Sequence, residues 1–468
     1  MAAILPILEG FWMFLVVCAT AYVSAAYHGL TVWPAPATVA VQATTLSLSA
    51  VGALYYNGLY DFRFASAGRA LWGRFFRAVL ISGVFIAAIY AWFPGARVRE
   101  LPLAAAVVLI AFVPLRTAAC RIIQSRPFVE RVLVVGGGKL AELVVGELQA
   151  RPSLPYTIVG VVDDATDVDL LARYPLLGPL ARLPKIIKEV QPERLVIALA
   201  QRRGTLSVED LLPWRAAGMA IEHAADFYER IAGKVALEWL WPSTLIYGRG
   251  IRVSPLGNAV RRGVSLGVAF VGLLVSAPAL LVIALAIKLD SGGPVFFVQR
   301  RQGARGRAFT LVKFRTMHPA ACDGSEWARD NAQRITRLGK WLRRFRLDEL
   351  PQFVNMLRGD MNLIGPRPHP ISNIRLFSEK IPFYALRSAI PPGVTGWAQV
   401  RYGYANNLEE EIEKMRYDLY YIKHASFWLD VRILIDTIKT VFLGRGALAA
   451  DADPVISRER RLKPLKVA

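Results

Sequence analysis

The chain has 468 residues, 54% of them hydrophobic, with a formal net charge of +21, and that length suggests two or three domains. A mean hydropathy of +0.35 is high for a soluble protein, and the surplus lies before residue 120 and over residues 263–287, so membrane insertion explains it better than a large soluble core. The charge suits nucleic acid or an anionic membrane surface, but there is no zinc-ligand spacing or RNA-binding aromatic signature, and basic residues flank the apolar runs, which argues against nucleic acid.

Four uncharged runs open the chain, Phe11–Tyr27, Ala37–Tyr60, Ala78–Pro94 and Leu101–Leu115. They predict a four-helix transmembrane bundle over residues 1–125, the short fourth span extending into Arg116–Ile123 with its arginine snorkelling. The N-terminus lacks a basic n-region, so the first run is expected to be a retained span rather than a signal peptide. Arg63, Arg69, Arg74 and Arg77 lie between spans two and three, and Arg116, Arg121, Arg126 and Arg131 follow span four. The positive-inside rule therefore places both ends of the bundle in the cytosol. Only three cysteines occur, among them Cys18 and Cys120 in or beside apolar runs, which matches a reducing compartment.

Residues 126–250 change character. Arg131–Val135, Ile158–Val162 and Arg194–Leu199 read as strands in a βαβ rhythm, predicting a Rossmann-like parallel α/β domain. Gly136-Gly-Gly138 follows the first strand and Asp163-Asp164 the second. Gly136, Gly138 and Asp163 thus form a weak nucleotide-binding signal, for which a structural or regulatory, CoA-binding-like domain is the preferred reading.

A third region, 251–446, begins with the uncharged run Gly263–Ile287 between Arg261-Arg262 and Lys288. Charge on both flanks and Ser276-Ala-Pro278 at its middle predict a re-entrant helix broken at Ser276 and Pro278 rather than a full crossing. A small β-hairpin is expected from Val295–Arg301 and Ala308–Met317, followed by a mainly helical stretch to about Leu443 and a basic tail over 447–468. Phe427–Leu443 reads equally as an interfacial helix and as one packed on the domain.

The chemistry concentrates behind an arginine cluster, in Arg343-Arg-Phe-Arg346-Leu-Asp348-Glu349-Leu-Pro351-Gln352. Pro351 suits a first helical turn, so Asp348 is expected to cap that helix. There it would stay ionised beside arginines able to hold a diphosphate, while Glu349 could ligate Mg²⁺. An exposed helix cap is the bland alternative for such a pair.

Lys313-Phe-Arg315-Thr-Met, Leu347-Asp-Glu-Leu-Pro-Gln352, Leu357-Arg-Gly-Asp-Met361, Gly365-Pro-Arg-Pro368 and Pro392-Gly-Val-Thr-Gly-Trp-Ala-Gln399 occur in order. Together they closely resemble the bacterial sugar transferase family, the polyprenyl-phosphate hexose-1-phosphate transferases, over about residues 255–446. The whole architecture is similar to the large members that initiate exopolysaccharide or capsule repeat units. The resemblance implies Asp348 as nucleophile, Glu349 as Mg²⁺ ligand, and Arg367 and Arg343 as phosphate contacts, with Lys313 and Arg315 in the same site. It implies a UDP-hexose donor, an undecaprenyl phosphate acceptor and UMP release. The setting would be the lipid of the bacterial inner membrane, with a cytosolic catalytic domain and a homodimer among the expected assemblies. Two other functions fit parts of the chain: a membrane-anchored NAD-dependent nucleotide-sugar modifier, and a non-catalytic scaffold for polysaccharide assembly.

Overall fold

The computed structural model describes residues 4–27, 36–57, 75–83, 129–152, 154–164, 174–199, 208–240, 255–318, 332–403, 405 and 407–442. Contacts divide the chain into Met1–Ala224 and Ala225–Ala468.

In the first unit, helices α1 (Ile4–Tyr27) and α2 (Pro36–Tyr56) lie against each other. They hold apolar stretches at Leu8–Thr20 and Val39–Tyr55, and residues 75–83 are also helical. Most of the expected third span and all of the fourth lie outside the described residues. The four-span bundle is therefore not established: among the described residues, one helix is long and apolar enough to cross a membrane, and it lies in the second unit.

The α/β fold follows the expected rhythm and adds two strands to it. Parallel strands β1 (Glu130–Val135), β2 (Tyr156–Val162), β3 (Leu176–Gly178), β4 (Arg194–Ile197) and β5 (Ala220–His223) are ordered β3-β2-β1-β4-β5. Val132–Val135 are fully buried, as a central strand covered on both faces requires. Helices α3 (Lys139–Ala150), α4 (Leu183–Val190) and α5 (Val208–Ala216) connect the strands. Gly136 turns the chain at φ +101°, where a Cβ would meet the Ala198 backbone at 3.0 Å; glycine alone fits there without strain. Asp163 does reach the glycine loop, where its carboxylate accepts the Gly137 N–H.

The division falls at the first residue of α6 (Ala224–Ala232), and the second unit keeps residues 225–240 on its own core. The Trp397 indole donates to Gly233 O at 2.7 Å, and Lys234 pairs with Glu413 at 2.7 Å. Helix α7 (Pro255–Asp290) runs 36 residues, about 54 Å at 1.5 Å per residue. Helical conformation continues through Pro278, so Ser276–Pro278 is not a gap in the helix. Pro278 has no N–H for the Leu274 carbonyl, while the Ser276 hydroxyl donates to Gly272 O at 2.6 Å. The inward face of α7 carries Ser265, Ala269, Ile283 and Ile287, while Leu274, Val275, Leu281 and Leu285 on other faces are exposed.

The expected hairpin forms, pairing β6 (Phe296–Gln302) antiparallel with β7 (Ala308–Phe314). After it come α8 (Arg337–Arg344), a 3-10 turn at Leu347–Glu349, α9 (Gln352–Arg358) and β8 (Asn362–Ile364). Helix α10 (Ile371–Lys380) leads to β9 (Gly393–Thr395), parallel to β8, and then to α11 (Trp397–Arg401), α12 (Leu408–His424) and α13 (Phe427–Phe442). Helix α13 packs through buried Ile433 and an Arg261–Asp430 ion pair of 2.6 Å, yet leaves Phe427 and Trp428 exposed.

Candidate active site

Three elements converge on Asp348 and Glu349. Thr336 caps α8 by accepting the Gly339 N–H at 2.9 Å, which starts the helix that carries Arg343 in its last turn. Arg346 then adopts a left-handed φ of +54°. That conformation costs an L residue on the order of 1 kcal/mol, and here it turns the chain so that both carboxylates point inward, 7% and 5% exposed. The expected cap is not formed: Asp348 lies in the 3-10 turn, and Pro351 occupies the N-cap of α9 without a side-chain bond.

Asn355 sets the register between α9 and the hairpin. Its amide donates to Thr310 O at 2.6 Å and its oxygen accepts the Val312 N–H at 3.1 Å. This places Lys313, the next residue of β7, within electrostatic reach of Asp348. The Gly-Pro-Arg-Pro loop is held by backbone-to-backbone contact. A Cβ on Gly365 would sit 2.4 Å from Pro391 O, and one on Gly396 would sit 2.2 Å from Gly365 O, so side chains are excluded from both positions.

Arg367 emerges from that loop to meet Glu349 at 2.9 Å and the Gln399 oxygen at 3.1 Å. Arg346 reaches the other Glu349 oxygen at 3.7 Å and Gln399 at 3.3 Å. Arg343 donates to Thr316 Oγ1 at 2.9 Å. Arg367 also lines a shallow cleft with Gln302, Tyr384, Arg387 and Ser388.

The two carboxylates diverge electrostatically. Burial, aided by the adjacent Glu349 charge, pushes the Asp348 carboxyl up, against the pull of Lys313, Arg343 and Arg367. Burial also opposes ionisation of Glu349, but Arg367 and Arg346 outweigh it and hold that carboxyl below its usual range. Asp348 therefore depends on its cations to stay ionised, rather than on a helix end as its sequence context suggests. Burial lowers the Lys313 ammonium to about 8.

The structure thus brings together Asp348, Glu349, Arg343, Arg367 and Lys313. Arg315 goes elsewhere, donating to Ser291 O and Gly292 O at 2.8 and 2.7 Å and tying β7 to the end of α7. His369 is a core group: it meets Glu411 at 3.2 Å, and burial among cations drives its imidazole well below its ordinary range. Arg346 and Gln399 belong to the site although the motifs assigned them no role; the signal was their place inside the Asp348 and Gln399 motifs. Among the described residues no group of three or more His, Cys, Asp or Glu converges as a metal site. Asp348 and Glu349 alone suit the sparse mode in which Mg²⁺ takes one or two carboxylates and completes its shell with water and substrate phosphates.

Residues 256–444 match the family model described as bacterial sugar transferase. The chain is 40% identical over 232 residues to a UDP-N-acetylgalactosamine-undecaprenyl-phosphate N-acetylgalactosaminephosphotransferase of Aeromonas hydrophila, covering 49% of this chain and 54% of that protein. It is 34% identical over 340 residues to an undecaprenyl-phosphate glucose phosphotransferase of Komagataeibacter xylinus, covering 69% and 61%. It is 44% identical over 173 residues to the exopolysaccharide production protein PSS of Rhizobium leguminosarum bv. phaseoli, covering 36% and 86%. The chain spans between half and two thirds of the length of the first two of these relatives.

Proposed function

This chain belongs to the bacterial sugar transferase family, and on that premise we propose that it transfers hexose-1-phosphate from a UDP-hexose to undecaprenyl phosphate, opening exopolysaccharide or capsule repeat-unit synthesis. The observation that carries this reading is a buried Asp348–Glu349 pair surrounded by Lys313, Arg343, Arg346 and Arg367. Two negative charges among four positive ones leave an excess that suits a diphosphate.

An Asp348 oxygen attacks the β-phosphorus of the donor. The new O–P bond forms as the bond to the α-phosphate oxygen breaks, and UMP leaves with that electron pair. A lipid phosphate oxygen then attacks the same phosphorus, the aspartyl O–P bond breaks, and the Asp348 carboxylate is restored. Arg343, Arg367 and Lys313 offset the charge that develops on the phosphoryl oxygens. Glu349, with Asp348 beside it, would hold Mg²⁺, which supplies further neutralising charge to the diphosphate.

We place the catalytic domain on the cytosolic face of the inner membrane, with α7 re-entrant and bent at Ser276–Pro278. Its early residue Ala269 packs with Leu311, Met356 and Met361, and its late residues Ile283 and Ile287 pack with Phe314 and Leu342. Contact with one domain at both ends favours a helix whose ends share a side of the membrane. The Rossmann-like domain is assigned a structural or regulatory role, within a multi-pass chain.

Chromatography of the nucleotide released from UDP-hexoses and undecaprenyl phosphate tests the reaction. UMP is expected; UDP as the primary product would mean cleavage at the anomeric carbon and would overturn the proposal. The hexose that turns over fastest in the same panel identifies the donor.

A further inference from the structure

Gln399 lies at the base of the site with half of its hydrogen-bonding capacity unused. The residue is 4% exposed, and its Oε1 accepts from Arg367 at 3.1 Å and from Arg346 at 3.3 Å. A guanidinium carries donors only, so the amide oxygen has to face the two arginines and the orientation of the side chain is set by chemistry. The NH₂ group must then point away from them, and its nitrogen is buried without a hydrogen-bond partner. Folded proteins leave few buried donors unsatisfied, and one that persists inside a site calls for an acceptor the free protein lacks.

The neighbours identify that acceptor. Arg346 and Arg367 both reach Glu349, the carboxylate beside Asp348, so the Gln399 oxygen stands among the phosphate-directed cations and the NH₂ group, bonded to the same carbon, lies just behind their contact. It is neutral, so it adds a donor without adding another like charge to the crowded arginines. A glutamate in its place would still bracket both guanidiniums but would offer no donor and would repel an anion. A methionine would fill the space and do neither.

We propose that Gln399 is a diphosphate-recognition residue: its oxygen brackets Arg346 and Arg367, and its amide donates to a phosphoryl oxygen of the donor nucleotide sugar. This rests on the phosphosugar-transferase reading and adds to it a contact made by the fifth motif.

The test uses the full-length protein in lipid nanodiscs, as wild type, Gln399→Glu and Gln399→Met. Affinity for UDP, inhibition by inorganic pyrophosphate, donor kcat/KM and melting temperature are measured on each. Both variants should lose about 10- to 100-fold in UDP affinity and in donor kcat/KM, with a similar loss towards pyrophosphate. Gln399→Glu should melt with the wild type because the bracket remains; if it does not fold, Gln399→Met reads the same affinities. Wild-type affinity for UDP and pyrophosphate in the folded variants overturns the assignment. So does a loss that only follows lost thermal stability. A wild-type protein that binds neither probe overturns the transferase reading, and this inference with it.

Discussion

Arg387→Met should destabilise the second unit far more than its distance from Asp348 in the chain suggests. The guanidinium donates to Asp418 at 2.7 Å and to the Tyr384 hydroxyl at 3.3 Å, and lies 3.4 Å from Glu411. The side chains of Arg387, Glu411 and Asp418 are 7%, 2% and 2% exposed. Lys414 still reaches Glu411 at 3.0 Å, so the change chiefly strands Asp418. Removing one partner of a buried ion pair costs about 3–5 kcal/mol, whereas replacing both partners by apolar groups is often close to neutral. For a unit of this size 1 kcal/mol moves the melting temperature by about 2–4 °C, so Arg387→Met should melt at least about 6 °C lower. The double variant Arg387→Met/Asp418→Leu should regain most of that loss. Thermal unfolding in nanodiscs, followed by intrinsic fluorescence, reads both. A single variant within 2 °C of wild type, or a double variant no better than the single, would refute the reasoning.

Three further outcomes are expected. Asp348→Asn should abolish turnover while leaving the melting profile intact, because an amide is a very poor nucleophile; near-normal turnover would replace the covalent route with direct displacement. Turnover should decline as pH rises through about 8, where the Lys313 ammonium loses its proton, and Lys313→Arg should remove that alkaline limb in a pH–rate profile. Stability should respond in the opposite sense: between about 8 and 10.4 the unfolded chain holds a proton on Lys313 that the folded chain has lost, so that group's contribution rises with pH. Single cysteines at Gly257 and Gly292, in a cysteine-free background, should both resist an impermeant thiol reagent in intact cells. Labelling of either from outside would exclude the re-entrant helix.

The sequence by itself determined the Asp348–Glu349 pair, the hairpin and the α/β rhythm, because each is a local pattern. Alternating and continuous apolar runs mark β1, β2 and β4, and adjacent carboxylates behind arginines mark Asp348 and Glu349. Strands β3 and β5 escaped because Leu176-Leu-Gly178 and Ala220-Ile-Glu-His223 hold neither the continuous apolar run that β4 has nor an alternating one; β5 is placed by its pairing with β4 across an intervening helix. Arg315 looked like a site cation because its motif also holds Lys313. On a strand, however, residues two apart face the same way only while the strand continues, and β7 ends at Phe314, which frees Arg315 to bind the end of α7. Only the tertiary structure decided that Arg346 and Arg367 meet on one glutamine oxygen. That meeting depends on a left-handed turn and on two glycine loops packed backbone to backbone, and neither the φ of Arg346 nor the approach of Gly365 to Gly396 is written in any local run of residues.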